Sequence, residues 1–107
     1  MSWRVVVREE AGEDILLAAD WYDSEQEGLG SEFIAEVIRV LDSLAVNPLL
    51  NRRRHPLKDI RWQYPNRFPY RVIYEVINEE NIVIVAAVLH AARDERVWRE
   101  RVKKLEE

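Results

Sequence analysis

The sequence predicts an α+β domain in which a helical hairpin packs on a mainly antiparallel four-stranded sheet, in the order β-α-α-β-β-β-α with a C-terminal helix. Three observations predict it. Over the first half of the chain, apolar residues recur at three- and four-residue spacing. From Ile60 to Ile77 they alternate, and from Ile82 to Leu89 the run IVIVAAVL is apolar at every position. A helical period followed by a strand period, with short turns between, describes helices packed on one sheet.

Each element follows in order. Trp3 to Val7 is a short β-rich run bounded by Arg8-Glu9-Glu10, and reads as a first strand. From Glu10 to Glu27, Ile15, Ala18, Ala19 and Tyr22 share one helical face, with acidic residues crowding the start where the helix dipole favours them. Gly28-Leu29-Gly30 breaks this helix, and Ser31 reads as the N-cap of a second, with a start already at Leu29 as the alternative. Its stripe is Leu29, Phe33, Val37, Val40, Leu41 and Leu44, broadened by Ile34, Ile38 and Ala45, and Asn47-Pro48 ends it. A basic loop, LLNRRRHPLKD, leads to a strand in which Ile60, Trp62 and Tyr64 alternate with Arg61 and Gln63. Tyr70 to Ile77 is the third strand and Asn78 to Asn81 a turn. Ile82 to Leu89, apolar throughout, is expected at the sheet centre, covered on both faces. Asp94 is placed to cap a last helix carrying Val97, Trp98, Val102 and Leu105 on one side.

The 107 residues read as a single domain spanning 1–107. There is no cysteine, which rules out disulfides, thiolate chemistry and cysteine-based zinc sites and suits a reducing cytoplasm. Neither a signal peptide nor a membrane span is legible, so a soluble cytoplasmic protein without membrane contact is expected. Two histidines far apart and no clustered ligands argue against a metal, and no cofactor motif is present. The net charge of −4 is unevenly spread. Residues 1–46 hold three basic and eleven acidic side chains, residues 47–75 seven and two, and residues 76–107 six and seven. A basic island in an acidic chain attracts phosphate or an acidic partner, while the acidic first part opposes wrapping of nucleic acid over the whole surface.

The element order, together with Asn47-Pro48, Arg67-Phe68-Pro69-Tyr70-Arg71 and His90-x-x-Arg93-Asp94, resembles the RelE/ParE superfamily of bacterial toxins. Trp21-Tyr22 in the first helix, GLGSEF from Gly28 to Phe33, and the Trp98–Arg101 ending resemble the ParE branch. The resemblance implies the toxin of a type II toxin–antitoxin module, of the plasmid-stabilisation kind. A cognate antitoxin would hold it inactive by folding onto a groove beside the sheet and the hairpin. ParE-like members imply inhibition of DNA gyrase, with DNA met only indirectly through the antitoxin. RelE-like members imply cleavage of mRNA on the ribosome, and a non-toxic member would only bind antitoxin. One scaffold serves these different targets, so fold does not choose among them.

RNA cleavage needs a base for the 2′-hydroxyl, cations for the phosphorane and an acid for the leaving oxygen. If the chain is RelE-like, the catalytic candidates are Arg61, Arg71, His90 and Arg93, with Arg61 and Arg71 sharing a surface if strand register allows. Each has a plain structural alternative: an ion pair for Arg71, a hydrogen-bonded strand end for His90, a helix cap for Arg93-Asp94. The sequence lacks a lysine-rich run in the island and a tyrosine after the fourth strand, where it has Trp98, which favours the ParE-like reading. For antitoxin or target binding, the candidates are Trp21, one position off the first helix's stripe, the run Arg52, Arg53 and Arg54, and Arg67 beside Pro69. Arg67 reads equally as a residue that holds the bend.

Overall fold

The computed structural model describes residues 2–92 and 95–105. Its elements run β1 (Arg4–Val7), α1 (Glu9–Glu25), α2 (Leu29–Val46), β2 (Ile60–Gln63), β3 (Tyr70–Ile77), β4 (Ile82–His90) and α3 (Glu95–Lys104). Short 3-10 turns lie at Pro48–Leu50 and Asn78–Glu80. The strands form one sheet in the order β1-β4-β3-β2. β1 pairs with β4 in parallel, while β4–β3 and β3–β2 are antiparallel. The architecture and element order are those expected from the sequence, and β4 lies inside the sheet, between β1 and β3.

Alternation sorts the side chains onto two faces. Tyr70, Val72, Tyr74 and Val76 of β3 join Val83, Val85 and Val88 of β4 beneath the hairpin, where they meet Ala11, Ala18 and Ala19 of α1 and Phe33, Val37, Val40 and Leu44 of α2. Ile60, Ile73 and Ala87 face the other way, against Trp98 and Val102 of α3. The two-sided burial of β3 and β4 follows from this arrangement. One helix covers less than two do, and Ile84 and Leu89 stay half-buried. Between Ile73↔Ala87 and Tyr74↔Val85 the register skips Ala86, a bulge that bends the central strand.

Three local expectations are corrected. Helix α2 begins at Leu29 with Gly28 at its N-cap position, so Ser31 lies inside the helix and is not the cap. Gly28 has φ +86°, a left-handed conformation that glycine adopts without strain and that reverses the chain between the helices. The orphan N–H of Gly30 is satisfied from α1 by Asp23 Oδ1 at 2.7 Å. Ile38 is 49% exposed and Val97 40%, so each stands outside its helix's buried stripe. Arg93 and the proposed cap Asp94 lie outside the described residues.

Candidate functional site

The register of β2 against β3 decides which basic residues can act together. Arg61 pairs with Tyr74 and Trp62 with Ile73. Directly paired residues share a face, so Arg61 lies on the hairpin side of the sheet and Arg71, adjacent to Val72, on the α3 side. The shared surface that the sequence left conditional on register does not form. Arg61 is also fully engaged in its own loop. Its Nε donates to Asp59 Oδ1 at 2.7 Å, and one terminal nitrogen donates to the carbonyl oxygens of Leu49 and Asn51 at 2.8 and 2.7 Å. It clamps the two ends of the basic loop.

Arg71 has a different environment. Its guanidinium lies 4.3 Å above the Trp62 ring, its Nε donates to the Tyr64 hydroxyl at 3.2 Å, and it faces Glu95 of α3 at 3.5 Å. Arg54 also stacks on Trp62, at 4.4 Å. One indole thus carries two guanidiniums, each attracted by its ring quadrupole. The Arg54 Nε is buried without a hydrogen-bond partner. Arg53 donates to the carbonyl oxygen of Lys58 at 3.1 Å, and Arg52 is exposed.

His90 ends β4 on the hairpin face. Its ring meets Tyr70 edge-on at 5.4 Å, and its Nδ1 accepts from the backbone N–H of Ala92 at 3.1 Å. It is therefore across the sheet from Arg71. Arg67 has φ 75°, in the left-handed region, so this residue makes the bend before Pro69. Its side chain reaches Glu32 of α2 at 3.2 Å and lies 5.3 Å over Phe68. Among the described residues no group of three or more His, Asp or Glu side chains converges as a metal site would.

One concave feature lies beside α1. Strand β1 pairs only with Ile82–Val85, so the remainder of β4 has no strand on that side among the described residues. A cavity of about 250 Å³ opens there, lined by Asp14, Leu17, Ala18, Trp21, Tyr70, Val88 and Leu89. Leu16 and Leu17 are 61% and 71% exposed, and Trp21, packed edge-on against Tyr22, is half exposed. Side chains satisfy the strand edge at the base of the groove. Asp14 Oδ2 accepts from Val88 N–H at 3.0 Å, and Arg101 of α3 donates to Ala86 O at 3.1 Å. The two side chains also bind each other through two bonds, of 2.9 and 3.0 Å, and the carboxylate holds the Arg101 guanidinium above its ordinary proton affinity.

Of the residues that the structure brings together here, sequence reasoning singled out Trp21 but not Asp14, Leu17 or the Trp62 stack. A signal for Asp14 existed: it lies three residues after Ala11 and four before Ala18, on the helix's buried face, where an ionised carboxylate requires a partner.

Comparison with known proteins places this geometry. The family model described as the ParE toxin of type II toxin–antitoxin system, parDE, matches residues 5–95. Among solved structures, the chromosomal ParDE toxin–antitoxin system from P. aeruginosa is similar at TM-score 0.70 and 12% identity, with 83% of this chain and 96% of that chain covered. The isolated E. coli RelE toxin is similar at TM-score 0.65 and 24% identity, covering 97% and 99%. The RelBE2 toxin–antitoxin complex from Mycobacterium tuberculosis gives 0.62 and 20%, covering 84% and 99%. At these identities the likeness is one of fold. No curated protein matches the chain.

Proposed function

Because the chain belongs to the ParE toxin family of type II toxin–antitoxin systems, we propose that it acts by binding, inhibiting DNA gyrase until a cognate antitoxin covers it. The observation that carries the antitoxin part is the groove between α1 and the half of β4 that β1 does not reach. Leu17 and Trp21 line it with largely exposed apolar side chains. A disordered partner segment that buries these side chains gains enough apolar contact to offset the entropy of its ordering. In this reading Trp21 is the central anchor, since an aromatic side chain offers a large area at low rotamer cost.

Inhibition by binding is favoured over RNA cleavage by the placement of the basic groups. Arg61 closes its loop, Arg71 stacks on Trp62 across the sheet, and His90 accepts a backbone N–H on the hairpin face. A phosphorane needs its cations and proton donors within about 3 Å of one reacting centre, and these three do not share a surface. Of the basic groups proposed for docking an acidic partner, Arg52 is exposed, while Arg53 is bonded within its loop, Arg54 is stacked on Trp62 and Arg67 is paired with Glu32.

The test is supercoiling by purified gyrase, titrated with the folded chain and with the product of the neighbouring gene. Dose-dependent loss of supercoiling, reversed by that product, is expected. Undiminished supercoiling at saturating folded protein would overturn gyrase inhibition, and transcript cleavage in a translation assay would then identify the RelE-like activity.

A further inference from the structure

A second cavity, of about 360 Å³, opens between the basic loop and α3. Its lining is His55, Lys58, Trp98, Arg99, Val102 and Lys103. Three of the six carry a fixed positive charge, a fourth is histidine, and none is acidic. Trp98 and Val102 are buried and form an apolar floor.

The walls are built as well as charged. His55 Nδ1 accepts from the backbone N–H groups of Leu57 and Lys58 at 3.1 and 3.0 Å. A ring nitrogen that accepts cannot also carry the proton, so Nε2 is the donor that His55 offers to a ligand. The Lys58 ammonium donates to Val102 O at 2.8 Å, which ties the loop to α3 and fixes the spacing between the walls. Arg99 extends over the Trp98 ring at 5.4 Å, bonded to Glu95 only through an exposed pair.

We propose that this cavity receives the carboxylate side chains of an acidic segment of a partner protein that also carries apolar residues. Charge complementarity names the carboxylates, and the Trp98–Val102 floor accommodates methylene or leucine contacts beside them. A polynucleotide is disfavoured by two features. The buried Trp98 presents no open face on which a base could stack. The chain's net charge of −4, concentrated in the hairpin, repels an extended polyanion that a short segment in the basic island escapes. The inference deepens the antitoxin reading and rests on it for the partner's identity, by giving that partner a second contact besides the Trp21 groove.

The probe is a dodecapeptide in which Glu and Leu alternate, titrated into isotope-labelled protein and followed by amide chemical shifts. Shifts at His55, Lys58 and Lys103 are expected, together with at least tenfold weaker binding to Arg99→Gln/Lys103→Gln and further weakening as salt rises. Both positions are exposed, and a melting temperature near that of the unaltered protein verifies the fold of the double variant; Lys103→Gln alone serves if it does not fold. Equal shifts from the peptide with Gln in place of Glu, or equal binding by the variant, would overturn the proposal. So would displacement of the peptide by inorganic phosphate, or by single-stranded RNA, at lower concentration. The probe is neither antitoxin nor gyrase, so failure here leaves the supercoiling test standing, and failure there leaves these shifts unchanged.

Discussion

Asp14 and Arg101, far apart in sequence, close a two-bond ion pair that also completes the main-chain hydrogen bonding of the central strand. Asp14 takes the Val88 N–H and Arg101 reaches the Ala86 carbonyl, at the point where β1 has ended and the bulge has turned β4. The pair does the work of a missing strand and fastens α3 to α1 across the sheet. Both side chains are mostly buried, so removing one leaves the other's charge without compensation.

Asp14→Ala is therefore expected to lower unfolding free energy by about 2–3 kcal/mol, since charged hydrogen bonds and a buried N–H are lost together. Urea denaturation of Asp14→Ala, Arg101→Met and the double variant measures this. The double variant should lose less than the sum of the singles, because the two residues act as a unit.

Arg61 and Arg71 should separate in stability as they do in space. Arg61→Ala frees Asp59 and two loop carbonyls, at a cost of about 2 kcal/mol. Arg71→Ala removes one stacking partner from Trp62 and an exposed ion pair, at about 1 kcal/mol or less. Thermal melting of the two variants, side by side, gives the order; a larger loss for Arg71→Ala would contradict the clamp assigned to Arg61.

Tyr74 gives the fold an alkaline limit. Its buried hydroxyl donates to Pro48 O at 2.7 Å and accepts from Asn51 Nδ2 at 3.0 Å, and burial raises its pKa above the ordinary 10.0. For an acid with a raised folded pKa, the native state holds the proton more tightly than the unfolded chain. Stability from this group is thus full below about pH 10 and is lost as pH rises through the folded value. Tyr74→Phe should cost about 1–2 kcal/mol at neutral pH and should flatten the decline above pH 10, as read by denaturant midpoints across that range.

The two glycines of the hairpin turn should respond differently to alanine. A Cβ on Gly28 meets no atom within 4 Å, and the cost is that of its positive φ, about 1 kcal/mol. A Cβ on Gly30 would stand 2.4 Å from the backbone oxygen of Ala19 and 2.7 Å from Asp23 Cγ, which forces the helices apart. Gly30→Ala should lose about 2–3 kcal/mol, more than Gly28→Ala, in the same unfolding measurement.

Hydrophobic period made most of the architecture legible, because burial on one or two faces writes itself into each segment separately. β4 could be placed inside the sheet from its unbroken apolar run, and Trp21 set apart from the buried stripe by its offset from Tyr22. Strand register is a relation between segments and leaves no such mark. A shared surface for Arg61 and Arg71 therefore stayed conditional until their pairing partners, Tyr74 and Leu89, put them on opposite faces. Arg101 was hidden for another reason: in a run ending Arg-Val-Lys-Lys it has the composition of a solvated helix end, and only its contact with Asp14 distinguishes it. Ser31 misled because the actual cap comes from Asp23, on the preceding helix.

The place of β4 in the sheet also sets when the molecule can exist. Its residues belong to both cores, and its parallel partner β1 lies at the other end of the chain, with Arg4 opposite Ile82. During vectorial synthesis the helical hairpin can form early from local contacts, but neither core can close until β4 has left the ribosome. A nascent chain consequently presents no finished surface to a target or to an inhibitor. Neutralisation therefore waits on the emergence of β4.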